Sequence, residues 1–179
     1  MKQTTTRHIY ELVCCGLLMA IGVLLPGVFH SVAGQSGGMV FLPMHIPVLI
    51  AGLYLGPVYG AVAGLLTPVI SCLTTGMPLP AQLPFMALEL AAYGVVAGLI
   101  YRRVKRNLYI ALLAAQIGGR LVKAAVLFVA ADLLRLPKVA GALSVWTATL
   151  TGWPGLLIQL LIIPPVVFAL QKGVRAYDR

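Results

Sequence analysis

A glutamate, an arginine and a lysine stand inside long apolar runs of this chain: Glu89 in MALELAAYG, and Arg120 with Lys123 in QIGGRLVKAAV. His45 in LPMHIP and Gln159 in GLLIQLL share that setting. Ionisable groups in such surroundings are costly, and they face one another, a ligand or a water-filled cavity. Two chemistries follow. Glu89 can form a buried ion pair with Arg120 or with Lys123 and hold two helices in register, or these groups can contact a ligand directly. One carboxylate faces two cations, so pairing leaves a positive surplus. That surplus suits a ligand carrying a carboxylate, a phosphate-like group or another strong acceptor. Tyr93 lies one helical turn from Glu89, and its ring can stack on or hydrogen-bond a flat ligand. His45 sits between Pro43 and Pro47, which free backbone groups that need partners. The imidazole either serves that backbone or forms a wall of a binding site.

Catalytic chemistry lacks its residues. No paired carboxylates, no HExxH pattern and no Ser/His/Asp grouping occurs, and no Gly-rich nucleotide loop is present. A channel would need rings of like charge or a filter-like loop. Cys14, Cys15 and Cys72 lie in apolar runs without metal or disulfide spacing and read as small packing residues. Asp132 is expected beside Arg135 at the end of an apolar segment. Neither a metal nor a cofactor is implied. The chain reads as a binder or carrier, not an enzyme.

Side chains at such depth need membrane helices to hold them. The chain is 60% hydrophobic and 9% charged, whereas soluble domains carry about 25% charged residues. Its mean hydropathy is +0.99. A crossing helix needs about 20 apolar residues. Six segments qualify, over approximately 9–28, 39–55, 57–75, 82–102, 108–133 and 152–171. The expected fold is a single membrane domain, residues 1–179, forming a compact all-α bundle of six transmembrane helices. The first apolar run lacks a clear small-residue cleavage site and is read as a span, not a removable leader. The weakest boundary is KVAGALSVWTATLT at 138–151, either a separate helix outside the membrane or an early start to the last span.

The formal net charge of +9 would suggest nucleic acid in a soluble protein. Here the basic residues cluster at span ends. Lys2 and Arg7 precede the first span, Arg102, Arg103, Lys105 and Arg106 follow the fourth, and Lys172, Arg175 and Arg179 follow the sixth. With six spans these fall on one side, so the positive-inside rule places both termini in the cytoplasm. The opposite links, PGVFHSVAGQSGG and TTGMPLPAQLP, are uncharged, and the third carries Arg135 and Lys138. Trp146 and Trp153 fit an aromatic belt near that outer interface. No nucleic-acid partner is implied; lipid is.

Glycines recur at Gly52, Gly56, Gly60 and Gly64. Such spacing lets helix backbones approach closely where lipid provides no hydrophobic drive. Pro57 divides the series, so a tight hairpin of two short helices is expected. Gly94 with Gly98, and Ala111, Ala115 and Gly119, repeat the pattern. Internal packing is the favoured reading, and docking to another membrane protein the other, with Gly16 and Ala20 of the first span as its best candidates. At about 1.5 Å per residue, Glu89, His45 and Gln159 lie about 10 Å in from the outer ends of their spans. Lys123 lies about 16 Å in, with Arg120 one turn further on roughly the same face. Polar groups from four segments thus converge on the outer half, which suits a pocket opening outward.

The chain resembles the substrate-binding S-components of energy-coupling factor (ECF) transporters, which are small six-span bacterial membrane proteins. The resemblance rests on LPMHIPVLIAGLYLGPVYGAVAGLLTPVISCLTTGMP, ELAAYGVVAGLIYRR, IGGRLVKA and GWPGLLIQLLIIPPVV, and it covers nearly the whole chain. It implies capture of a vitamin or related micronutrient from outside. It also implies delivery through a module of one transmembrane coupling protein and two cytoplasmic ATPase subunits in the bacterial cytoplasmic membrane. An Ala-x-x-x-Ala motif in the family's first span contacts the coupling protein. The matching positions here are Gly16 and Ala20, a departure that keeps the surface small. The family's site lies toward the outer half, where His45, Glu89, Tyr93, Arg120, Lys123 and Gln159 would bind substrate. Two other readings stand beside it: a solitary secondary transporter, proton-coupled through Glu89, and a structural membrane protein built around a buried ion pair.

Overall fold

The structure is a computed structural model that describes residues 2–104, 107–135 and 139–177. Lys105, Arg106, Lys138 and Arg179, and the side chain of Asp132, lie outside what is described, and with that side chain the expected placement of Asp132 beside Arg135. Among the described residues every regular element is helical. Six segments are long and apolar enough to cross a membrane: Arg7–Val32, Gly37–Tyr54, Pro57–Thr75, Leu83–Arg103, Leu108–Ala131 and Trp153–Lys172.

The first helix, α1 (Lys2–Phe41), runs far past the expected end of its span, and the segment read as a loop is helical. It folds back at Gly34, whose φ of 67° and ψ of −171° interrupt the helix. The rings of Phe29 and Phe41 consequently meet at 5.2 Å, although twelve residues of straight helix would separate them by about 18 Å. A side chain is strained at that φ, and glycine avoids the strain because it has no Cβ.

The second span departs from the expectation of one continuous run over 39–55. It breaks at Leu42–Met44 and resumes as α2 (His45–Tyr54). Pro47 has no N–H to offer the Pro43 carbonyl. That carbonyl instead accepts from the Ile46 N–H at 3.3 Å, and Leu42 accepts from the His45 N–H at 3.1 Å. Backbone N–H groups of the next helix therefore serve the carbonyls beside the prolines locally. All of α2 except Ile46 and Tyr54 is buried, which makes it the central helix of the bundle.

Gly56, at φ 107°, turns the chain into α3 (Pro57–Thr75), with Pro57 opening the helix. The glycine series then packs inward, on the bundle's own helices. A Cβ on Gly60 would meet the Gly94 carbonyl oxygen at 2.6 Å and the Gly52 Cα at 2.8 Å. Gly64 abuts the backbone of Leu90 and Ala91, and Gly98 that of Gly52 and Pro57. Thus α2 and α3 lie backbone-close on α4 (Leu83–Arg103).

Asn107 caps α5 (Leu108–Leu127), its side-chain oxygen accepting from the Ile110 N–H at 3.2 Å. This helix continues as a π-helical turn, Phe128–Leu133. The segment of uncertain boundary holds a separate helix, α6 (Ser144–Thr151), and the last span is α7 (Trp153–Tyr177). The main core joins Leu49 and Leu53 of α2, Tyr93 and Ala97 of α4, Ala111, Leu112 and Ala115 of α5, and Ile163 and Val167 of α7. Those contacts surround α2 and fix the helices that carry the polar residues.

Candidate ligand-binding site

On α4, Glu89 and Tyr93 are one turn apart, and both point into the bundle. On α5, Gln116, Gly119, Arg120 and Lys123 follow a spacing of three, four and seven, which puts them on one face. Gly119 explains how close the two helices come, because its missing side chain leaves room for the Tyr93 ring, whose Cδ2 stands 2.7 Å from where a Cβ would be. The edge of one ring meets the face of the other where Tyr93 packs on His45 of α2, with centroids 5.0 Å apart and planes at 79°.

The two cations have different partners. Lys123 Nζ donates to Glu89 Oε2 at 2.8 Å, and the Glu89 side chain is only 4% exposed. Arg120 Nη1 instead donates to the hydroxyl of Thr149 on α6 at 2.7 Å. That hydroxyl in turn donates to the Val145 carbonyl at 2.6 Å. A third polar link joins α5 to α7, where Gln116 Nε2 donates to Gln159 Oε1 at 3.3 Å and to the Leu156 carbonyl at 3.4 Å.

These links leave atoms over. Among the described residues, five buried side-chain atoms have no hydrogen-bond partner: His45 Nδ1, Thr67 Oγ1, Tyr93 Oη, Arg120 Nε and Gln159 Nε2. An unpaired buried polar group costs about 1–3 kcal/mol, and each one calls for an explanation. Four of the five belong to residues singled out from the sequence. Arg120 Nε and the Gln159 amide nitrogen can only donate, so what completes them must bring acceptors. Thr67 stands apart. It is fully buried on α3, with its methyl filling the gap at Gly22 beside Pro47.

The structure thus brings His45, Glu89, Tyr93, Arg120 and Lys123 into one neighbourhood, with Gln159 joined through Gln116. Gln116 and Thr149 were missed in the sequence. Gln116 carried a signal, since it lies one turn before Arg120 in the same apolar run. Thr149 had none, because its role depends on where α6 docks. Gly16 and Ala20 lie elsewhere. They are exposed on α1 and line a shallow apolar groove with Met19, Val23, Leu24 and Ile70.

The family model for the ECF transporter, substrate-specific component, matches residues 11–167. The chain belongs to that family. No curated protein and no solved structure matches it. This ECF substrate-specific component is a multi-pass membrane protein, and its family is a transporter's substrate-binding part and not an enzyme. The matched range contains every residue of the polar neighbourhood as well as Gly16 and Ala20.

Proposed function

We propose that this ECF substrate-specific component captures a small micronutrient, in the class of the vitamins, through His45, Glu89, Tyr93, Arg120, Lys123 and Gln159. The observation that carries the reading is the set of buried, unpartnered polar atoms on His45, Tyr93, Arg120 and Gln159. Two of these atoms are obligate donors, which favours a ligand presenting a carboxylate or comparable acceptors, and the His45–Tyr93 ring pair favours a flat or compact body beside it. Lys123 neutralises Glu89, so Arg120 supplies the surplus positive charge. Its guanidinium can hold Thr149 through one nitrogen and an anionic group through the others.

Delivery would run through a transmembrane coupling protein and two cytoplasmic ATPase subunits, with both termini cytoplasmic in a bacterial cytoplasmic membrane. Gly16 and Ala20 would meet the coupling protein, where their small size lets helices approach. The Glu89–Lys123 bond disfavours the alternative of proton coupling through Glu89, because the carboxylate already has a cationic partner.

Mass spectrometry of small molecules carried through purification tests the reading. A stoichiometric anionic compound is expected with the native protein and should be lost in Arg120→Gln. Arg120→Lys should also retain less of it, because a single ammonium cannot reproduce the planar fork. Retention of the same compound at native levels by folded Arg120→Gln would overturn the assignment of Arg120.

A further inference from the structure

We propose that α6 is an interfacial helix, seated on lipid through Leu143, Trp146, Leu150 and Trp153 and tied to the candidate site through Thr149. Helix α6 is eight residues long, about 12 Å, and cannot cross a hydrocarbon core of about 30 Å. At 100° per residue its side chains sort into three faces. Val145 is buried against the bundle, and Thr149, on the same side, accepts from Arg120. Next around the helix come Trp146 and Leu150, 67% and 74% exposed, flanked by Leu143 just before the helix and Trp153 at the start of α7, 79% and 59% exposed. Beyond these lie Ser144, Thr147 and Thr151, where the Thr147 hydroxyl donates to the Ser144 carbonyl and the Thr151 hydroxyl to the Thr147 carbonyl.

Lipid is the occupant that fits the apolar face. Beyond the turn at Gly152, Trp153, Leu157 and Leu161 follow at every fourth residue of α7 and are all exposed, so apolar surface carries on from α6 into the span. No charged residue occurs from 139 to 171, so nothing on α6 opposes entry into the interface. Its one aromatic residue is Trp146, with Trp153 following at the start of α7, and tryptophan concentrates at the headgroup level of membranes. A helix with a protein side, an apolar side and a hydroxyl side suits the junction of bundle, lipid and water. The membrane surface thereby supports the helix that holds Thr149 against Arg120.

The chain has two tryptophans, so Trp153→Phe leaves Trp146 as the sole indole reporter of α6. The full-length variant would be placed in phosphatidylcholine vesicles containing lipids brominated near the headgroup end of the acyl chain. In parallel, iodide would be supplied on both sides of the membrane. The expected result is blue-shifted Trp146 emission, loss of most of it to the brominated lipid, and protection from iodide. Red emission quenched by iodide and untouched by bromine would place α6 in water and overturn the proposal. Protection from both quenchers would point to a protein contact, such as a second copy of the chain, and overturn it equally. Thr149→Val, added to the same background, removes the tie at nearly constant shape and should raise iodide quenching of Trp146. Unchanged quenching would refute the tie to Arg120. The seat of α6 does not depend on which ligand the site takes, so this experiment can succeed or fail separately from the substrate assignment.

Discussion

Replacing Lys123 by Met should destabilise the protein far more than replacing Glu89 by Gln, and the two together should be milder than Lys123→Met alone. The asymmetry comes from the burial of the partners. The Glu89 side chain is 4% exposed, whereas that of Lys123 is 26% exposed, and they meet at 2.8 Å. Lys123→Met therefore strands a carboxylate in an apolar interior, a loss of the kind that costs about 3–5 kcal/mol. Glu89→Gln leaves a less buried ammonium, and the new amide can still accept from it. A cost nearer 1–2 kcal/mol is expected, in the range of a weakened buried hydrogen bond. In the double variant neither charge of the pair remains, and a buried pair replaced by uncharged groups is often close to neutral. The measurement is thermal or denaturant unfolding of the detergent-solubilised protein, arranged as a double-mutant cycle. A Lys123→Met protein as stable as the native one, or a double variant no better than its worse parent, would refute the pairing of Glu89 with Lys123.

Other outcomes follow from the packing and the exposed surfaces. Gly60→Ala should cost about 1–3 kcal/mol or more by overpacking, because its methyl would press on the backbone of Gly94 and Gly52; Gly27→Ala, with nothing within 4 Å, should be neutral or slightly stabilising in the same unfolding assay. Gly16→Leu or Ala20→Leu should leave ligand retention intact while reducing co-purification with a coupling protein and ATPases; lost retention with normal assembly would reverse the role given to that face. Cysteine labelling in intact cells should reach Ser36→Cys from outside and Arg103→Cys only after permeabilisation, and equal labelling of both from outside would contradict the proposed orientation.

The spans, their tight packing and the presence of charged groups inside them were legible in the sequence for simple reasons. Hydrocarbon demands runs of about 20 apolar residues, so composition alone marks out crossing segments. Small residues every fourth position mark a helix face that needs no room, and the series from Gly52 to Gly64 packs on α4 as such a face should. Charge in an apolar run is conspicuous because it is costly, which is why Glu89, Arg120 and Lys123 could be singled out before any contact was known. Depth along a helix follows from counting residues. What counting leaves open is how far each helix is rotated about its axis and which neighbour it faces. The pairing of Glu89 with Lys123 was settled by the crossing of α4 and α5 at Gly119. Arg120 took Thr149 because α6, whose boundary the composition left open, folds back over that side of α5. The turn at Gly34 was equally hidden. Glycine permits a left-handed φ at every position it occupies, so the residue type alone did not mark Gly34 as the place where the chain turns and brings Phe29 to Phe41.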